Sequence, residues 1–270
     1  MVAIASALRF GAVRKATNVH QISAATPCDG PPWVGSETFL VDPMLGAPGE
    51  LPHVGLTRGS AKNPLVPLPS SPPVWSDPDV NVLVTHLHFD HFDAAADRLL
   101  NSSVQIFAAP DATKPLRARG FERVCPVTDR RSSSGGTEII RHETRHARGV
   151  LGRVLGSNST YLLVAGSDRI LITGDALFDD VSDIARREEP NVLIVNAGSA
   201  MFWGRQRATM NSTEVRRLAT EFAHAVIVTV HLEALNHCIE TRDRTREMVA
   251  GLPHVLVPED GEVVLIGSPS

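Results

Sequence analysis

Cysteine is scarce in this 270-residue chain, and the three residues that occur are far apart. Cys28, Cys125 and Cys238 are odd in number and form no Cys-x-x-Cys pair, so neither a disulfide framework nor a cysteine zinc site is expected. The first residues also lack the basic segment and uninterrupted apolar run of a signal peptide, because Arg9 breaks the run. The scarce cysteines and the absence of a signal-peptide pattern predict a cytoplasmic protein.

Long apolar runs and an excess of positive charge are also missing. No uncharged apolar run reaches the length of about 18 residues that a membrane span requires, so no membrane association is expected. Lys and Arg number 26 against 30 Asp and Glu, which gives a formal net charge of −4. Because nucleic-acid binding depends on a basic field, DNA and RNA are disfavoured as partners. The expected partner is a small-molecule substrate.

Apolar runs alternate with helical patterns along most of the chain. Strands are predicted at 37–43, 81–85, 105–108, 161–165, 169–173, 192–195, 225–230 and 263–266. Helices are predicted at 93–100, 111–119, 179–187, 213–224 and 241–251. This alternation indicates a layered α/β architecture, and we expect residues 1–270 to form one domain.

The segment 46–78 is poor in backbone donors, because eight of the nineteen prolines lie between Pro48 and Pro78. Neither a central strand nor a helix interior is expected there. Its apolar residues, among them Val66, Leu68 and Trp75, favour a packed lid over a linker. Aromatic side chains exposed on such a lid would favour a homodimer.

The chemistry of the sequence is concentrated in Thr85-His-Leu-His-Phe-Asp-His91, directly after a predicted buried strand. Three imidazoles and one carboxylate fall within six positions at the corner between a strand and a loop, where side chains converge. A single histidine at a strand end is more often a capping or solvated residue than a ligand. Four such residues at this spacing predict a metal site.

The pattern His-x-His-x-Asp-His resembles the signature of the metallo-β-lactamase superfamily, which implies a four-layer αββα sandwich. The resemblance also implies the remaining metal ligands, which it assigns to His146, Asp175 and His231. One metal ion would then be held by His86, His88 and His146, and a second by Asp90, His91 and His231, with Asp175 bridging the two. Five imidazoles and two carboxylates suit zinc, although manganese or iron fit the same donors.

The activity that the resemblance implies is hydrolysis by a hydroxide that bridges the two ions, acting on a lactone, amide or phosphoester of a small molecule. Asp90 would orient this hydroxide and pass on a proton, and His237 is a second candidate for a catalytic role. The segments 39–43, 63–69 and 231–238 resemble the branch that includes the ascorbate-6-phosphate lactonases.

Five further residues are candidates for contacts to the substrate. Glu233 and Asn236 follow the last proposed ligand and can face the same pocket. Arg205 and Arg207 could clamp a carboxylate or phosphate, and Trp203 could form a pocket wall. For each of them a structural role or a solvated loop position explains the residue about as well.

One other enzyme class stays open, and two further functions are disfavoured. A mononuclear iron dioxygenase acting on persulfides keeps much of the same histidine cluster on this fold, whereas diiron oxygen reductases carry a glutamate where His88 stands. A non-catalytic member would not need all seven ligands, and a tRNA-processing nuclease would need a basic arm that the sequence lacks. The single tyrosine, Tyr161, falls in a predicted buried strand, so a tyrosine-assisted lactonase mechanism has no obvious residue to carry it.

Overall fold

A computed structural model of the chain describes residues 6–10, 21–25, 37–57, 59–68, 75, 77, 79–133, 135–202 and 206–267. The strands of the first half are β1 (Ser6–Phe10), β2 (Gln21–Ala25), β3 (Thr38–Val41), β4 (Asn81–Val84), β5 (Gln105–Ala108), β6 (Arg123–Pro126), β7 (Arg130–Ser132) and β8 (Glu138–Arg145). Those of the second half are β9 (Ser157–Ala165), β10 (Asp168–Ile172), β11 (Val192–Asn196), β12 (Met201–Phe202), β13 (Gln206–Arg207), β14 (Val226–Val230), β15 (Val255–Leu256) and β16 (Val264–Gly267). The helices are α1 (Ala94–Leu99), α2 (Pro110–Ala118), α3 (Gly149–Leu155), α4 (Phe178–Glu188), α5 (Ser212–Glu221) and α6 (Arg242–Met248).

Two seven-stranded sheets form the centre of the fold. The first has the order β16-β2-β1-β3-β4-β5-β6, and the second has the order β15-β14-β11-β10-β9-β8-β7. Strands β3 to β6 run parallel, as do β10, β11, β14 and β15. Since parallel neighbours end at the same edge, the loops that follow β3, β4, β10, β11 and β14 are brought together in groups.

The alternation of side chains along the strands produces three apolar layers. In β10, Ile170 and Ile172 join the core between the two sheets, while Leu171 points to the layer under α4 and α5. In β4, Leu83 points between the sheets and its neighbour Val82 faces α1 and α2. Helices therefore cover both outer faces, and the expected four-layer αββα architecture is confirmed.

All five predicted helices and all eight predicted strands are present, with ends that differ by a few residues. Helix α3 was not predicted, because Gly149, Gly152 and Gly156 indicate a loop. Strand β9 begins four residues before Tyr161, with polar residues that include Asn158, a residue type depleted in strands. Asn158, Ser159 and Thr160 are buried, and the Asn158 amide donates to the Thr173 carbonyl at 2.9 Å.

The described parts of the segment 46–78 pack against the domain. Leu51 and Val66 contact the core between the sheets, and Leu68 and Trp75 contact the layer under α1 and α2. The backbone N–H of Leu65 donates to the carbonyl of Ala234 at 2.8 Å. Residues 58, 69–74, 76 and 78 lie outside the described residues, and a lid function stays a prediction. Among the helices described, none is long and apolar enough to cross a membrane.

Candidate metal centre

The proposed ligands lie where strands of both sheets end. His86, His88, Asp90 and His91 follow β4, while the ends of β8, β10 and β14 are followed by His146, Asp175 and His231. The turn between 88 and 92 is closed by hydrogen bonds from the N–H groups of His91 and Phe92 to the carbonyl of His88. This turn directs several consecutive side chains to one point.

Gly174 allows the end of β10 to approach the end of β4. Its φ is +52°, and a Cβ at this position would lie 2.4 Å from Oδ1 of Asn158 and 2.9 Å from Cβ of Thr85. No side chain fits in that space, so the glycine brings Asp175 next to the histidines that follow β4. His231 and Asp42 also have positive φ values, of 64° and 47°. Such backbone strain is common at functional sites.

A first group consists of His86, His88 and His146, whose ligand atoms all lie within 4.8 Å of one another. Nδ1 of His88 lies 3.1 Å from Nε2 of His86 and 3.1 Å from Nε2 of His146. Three ring nitrogens therefore converge on one small volume.

A second group consists of Asp90, His91 and His231, again with ligand atoms within 4.8 Å. Asp175 lies between the two groups. Its Oδ2 is 3.3 Å from Nε2 of His91 and 3.5 Å from Nε2 of His146, and its Oδ1 is 3.9 Å from Nε2 of His231. One carboxylate thus faces histidines of both groups, as the resemblance implied.

Asp42 determines the tautomers of two of these histidines. Its Oδ2 accepts hydrogen bonds from Nδ1 of His91 at 2.8 Å and from the hydroxyl of Thr85 at 2.6 Å, and its Oδ1 accepts from the backbone N–H of Thr85 at 2.7 Å. Because the Thr85 hydroxyl proton is used on Asp42, its oxygen accepts from Nδ1 of His86 at 3.0 Å. The Nε2 atoms of His86 and His91 are therefore the ring nitrogens that face the centre and can coordinate a cation.

The tautomer of His88 is determined by a different contact. Its Nε2 lies 3.0 Å from the carbonyl oxygen of Leu155 at the end of α3, and a carbonyl only accepts. Nε2 therefore carries the proton, and Nδ1 presents its lone pair to His86 and His146. Asp175 is held by Asn196, whose amide donates to its Oδ1 at 2.7 Å, and by Asn158, which accepts from its backbone N–H at 3.1 Å.

The electrostatics favour neutral imidazoles beside an ionised carboxylate. Burial, helped by neighbouring histidines, holds the pKa of His86 well below its usual value, and burial also lowers the pKa of His231. Burial alone would raise the pKa of Asp175, but the adjacent His91 and His231 hold it well below the usual range. His91 differs: although burial opposes it, Asp175 and Asp42 raise its pKa well above normal, so this position stabilises a positive charge.

These donors fit a divalent cation. Within the described part of the chain, the buried Nε2 atoms of His91 and His231 have no hydrogen-bond partner, and both point to the space around Asp175. Buried polar atoms without partners are rare in native proteins unless a water or an ion satisfies them. Imidazole nitrogens and carboxylate oxygens are the donors that zinc, manganese and iron accept.

His237 and Cys238 lie beside the second group. Nε2 of His237 is 3.7 Å from Oδ2 of Asp90, and burial lowers the pKa of this imidazole to about 4. Sγ of Cys238 lies 3.3 Å from Nδ1 of His231. The sequence assigned no role to Cys238, and this contact to a proposed ligand depends on the folded structure.

Three of the proposed substrate contacts have partners within the protein. Glu233 accepts hydrogen bonds from the backbone and guanidinium of Arg242, and Arg207 pairs with Glu214 at 2.6 Å. The Asn236 side chain accepts from the N–H of Val54 and donates to the carbonyl of Gly59. These contacts favour structural roles, so a role in substrate binding stays a prediction. Trp203 and Arg205 lie outside the described residues.

Sequence reasoning missed the residues that orient the ligands, which are Asp42, Thr85, Asn158, Asn196 and the carbonyl of Leu155. Only Asp42 had a usable signal, since it follows a predicted strand before Pro43. Strands β3 and β4 pair in parallel, so their ends lie at the same edge of the sheet. Predicting that pairing would have placed Asp42 beside the residues that follow β4. The others depend on contacts between distant segments.

Comparison with known proteins agrees with this geometry. The beta-lactamase superfamily domain matches residues 37–232. UPF0173 protein YddR of Bacillus subtilis (strain 168) is 30% identical over 235 residues, which cover 84% of this chain and 92% of the relative. Two solved structures each match with a TM-score of 0.77 over 84% of this chain and 91% of their own. They are a possible metal-dependent hydrolase from Veillonella parvula DSM 2008, at 28% identity, and an isothiocyanate hydrolase from Delia radicum gut bacteria, at 25%.

The fold, the converging donors and these similarities lead to the same conclusion. The chain has the features of a metal-dependent hydrolase, and its histidine and aspartate groups can hold metal ions. It belongs to the metallo-β-lactamase superfamily.

Proposed function

We propose that this protein is a dinuclear metal-dependent hydrolase of a small molecule with an electrophilic carbon or phosphorus, such as a lactone, an amide or a phosphoester. The observation that carries the proposal is the position of Asp175, which faces His146 of the first group and His91 and His231 of the second. A carboxylate in that position suits two ions better than one. Zinc is the proposed metal, and manganese or iron would suit the same donors.

Each group of ligands has a defined part in the proposal. His86, His88 and His146 would hold one ion, and Asp90, His91 and His231 would hold the other, with Asp175 between them. Ions bound there would lower the pKa of a coordinated water and polarise the bond to be cleaved. The protein supplies imidazoles with fixed orientations, which hydrogen bonds to Asp42, Thr85 and the carbonyl of Leu155 maintain.

Asp90 and His237 are the proposed proton-handling residues. Asp90 is buried, and its Oδ2 lies 3.7 Å from Nε2 of His237. A pKa of about 4 leaves the His237 imidazole neutral near pH 7 and makes it a weak base, so Asp90 is the proposed acceptor of the proton of the reacting water. Asp90 would then pass this proton to the leaving group, with the neutral His237 imidazole beside its carboxylate.

The proposed substrates include more classes of compound than the sequence resemblance implies. A relationship to the ascorbate-6-phosphate lactonases remains part of the proposal. The similarity to an isothiocyanate hydrolase adds a further candidate, since the central carbon of an isothiocyanate is electrophilic in the same way as a carbonyl carbon.

The first test is the metal content of the purified protein, compared with His231→Ala and with the control His224→Ala. His224 is exposed and lies away from the proposed ligands. About two zinc or manganese ions per chain, falling toward one in His231→Ala and unchanged in His224→Ala, is the expected result. About one iron per chain that is insensitive to His231→Ala would favour the persulfide dioxygenase, which an oxygen-consumption assay would then check.

Hydrolysis is tested with one lactone, one amide, one phosphoester and one isothiocyanate, each with and without a chelator. We expect turnover of at least one compound that is lost with the chelator and returns with added metal. Protein that contains two ions but hydrolyses none of the four classes would contradict the proposed activity.

A further inference from the structure

An apolar surface adjoins the metal centre. It consists of three buried alanines and four partly buried residues that pack against them. The alanines are Ala147, Ala200 and Ala208, and the others are Leu151 and Leu155 of α3, Phe202 of β12 and Cys238. We call this set the apolar wall. Its three large members, Leu151, Leu155 and Phe202, are only partly buried, so part of their apolar surface is open.

The apolar wall touches the centre at several points. Ala147 is the residue after His146, and the carbonyl of Leu155 accepts from Nε2 of His88. Sγ of Cys238 lies 3.3 Å from Nδ1 of His231, and the ring of Phe202 is 5.7 Å from the ring of His237. The wall therefore extends past both groups of ligands.

A cavity that borders the ligands near α3 has a mixed lining, which includes Thr85, Ser157 and Ser159 beside its apolar residues. This cavity, of about 290 Å³, is also lined by His86, His88 and Leu155, together with Leu87, Ala109, Ala112 and Pro115. Among the described residues, the lining of this cavity includes one acidic residue, Asp111, and neither Lys nor Arg. This lining therefore supplies no cation that would bind a negatively charged substrate group.

A larger groove of about 810 Å³ lies along α3 and His146, and it contains arginines. Two of them are already paired, since Arg145 contacts Asp180 and Arg148 contacts Asp179. Arg153 is exposed and is the remaining cation of that lining. Because exposed cations are well solvated and screened, this groove offers little binding energy for an anion.

We propose that the substrate of this enzyme carries an uncharged alkyl or aryl group next to the carbon that is attacked, and that Leu151 and Phe202 of the apolar wall bind this group. The inference rests on the proposed function, and it narrows the substrate class. Compounds with a phosphate or carboxylate in place of the apolar group are then poor ligands.

Hydroxamic acids allow a test by binding, because a hydroxamate chelates a metal ion whether or not the protein turns over a substrate. The metal-loaded protein is titrated with acetohydroxamate, with the hydroxamates of butanoic and hexanoic acid, and with a hexanoic analogue that ends in a carboxylate. Since each buried methylene favours binding about fourfold, we expect the affinity to rise steadily along the uncharged series. The carboxylate analogue should bind no better than acetohydroxamate.

Two variants test whether the apolar wall causes the increase in affinity along the hydroxamate series. Leu151→Ala and Phe202→Ala should each reduce the gain from acetohydroxamate to hexanohydroxamate several-fold while leaving acetohydroxamate binding unchanged. Val154→Ala is the matched control, because Val154 belongs to the same helix but is 75% exposed. It should behave as the unchanged protein, and metal content is measured for all three.

Several outcomes would overturn the inference. The first is a binding affinity that does not change with the chain length of the hydroxamate. The second is an increase in affinity with chain length that both Leu151→Ala and Phe202→Ala retain. The third is tighter binding of the carboxylate analogue that Arg153→Ala abolishes. Binding that rises with chain length without any metal-dependent hydrolysis would support the apolar wall and contradict the proposed function. The two proposals can therefore fail separately.

Discussion

Asp42→Asn tests whether the residues around the ligands prepare the site for metal. The Asp42 carboxylate accepts three hydrogen bonds, from the N–H and hydroxyl of Thr85 and from Nδ1 of His91. Asparagine has the same shape but presents one oxygen and one NH2 group. In either orientation the NH2 group therefore meets at least one donor.

The two orientations have different consequences. If the amide nitrogen faces the Thr85 N–H, one buried donor is left without an acceptor, which costs about 1–3 kcal/mol of folding free energy. If it faces His91 instead, His91 accepts through Nδ1, and its proton moves to Nε2, where it blocks coordination. Loss of a partner behind a metal-binding histidine typically weakens metal binding by about 10–100-fold.

The assay compares zinc affinity, by competition with a chromophoric chelator, and urea unfolding of the metal-free protein. Asp93→Asn is the matched control, because Asp93 is also buried and accepts from two backbone groups, at Gly46 and Ala96. Both variants should lose stability, but only Asp42→Asn should lose zinc affinity, by about 10–100-fold. Equal zinc affinity in the two variants would refute the argument that Asp42 controls the tautomer of His91.

Three further predictions concern the glycine at the centre, the proline-rich segment and the metal. Gly174→Ala should lower the free energy of unfolding by more than about 2 kcal/mol, measured in urea, because the added Cβ overlaps Asn158 and the φ is positive. The control is Gly166→Ala, which has a φ of +61° and open space and should lower the free energy of unfolding by less. Equal decreases in the two variants would exclude the overlap as the cause. Asn236→Ala removes bonds to Val54, Thr57 and Gly59, so limited proteolysis should cut within 51–63 faster, and an unchanged cleavage rate would contradict this tethering role. Protein with metal at about 100 times its Kd should have a Tm about 5–10 °C higher than protein from which a chelator has removed the metal. An equal Tm for the two samples would argue against a metal that binds only the folded chain.

The sequence was sufficient for the architecture and for the location of the chemistry. Apolar runs such as 81–84 and 192–195 are buried strands, and the alternation of strands with helices indicated the layers correctly. The local cluster from His86 to His91 was visible because a single turn brings these residues together. Local periodicity and local spacing are properties that a sequence carries by itself.

Resemblance, and not spacing, connected His146, Asp175 and His231 with that cluster. Nothing local links His146 to His88, since 58 positions separate them, and only the pairing of β8 with β9 and the facing of the two sheets bring their ring nitrogens to 3.1 Å. Helix α3 escaped prediction for a related reason. Its glycines are poor helix formers, and its position depends on the close approach of Gly152 to the carbonyl of Ala147.

The protonation pattern of the site was decided by tertiary structure alone. A histidine in a sequence has two equivalent candidates for its ligand atom, and the choice depends on which nitrogen finds an acceptor in the folded protein. For His91 that acceptor is Asp42, 49 positions away, and for His88 it is the carbonyl of Leu155, 67 positions away. The sequence thus determined which residues are available to a metal ion, while the packing of the two sheets and α3 determined which of their atoms face it, because hydrogen bonds between distant segments form only when those segments meet.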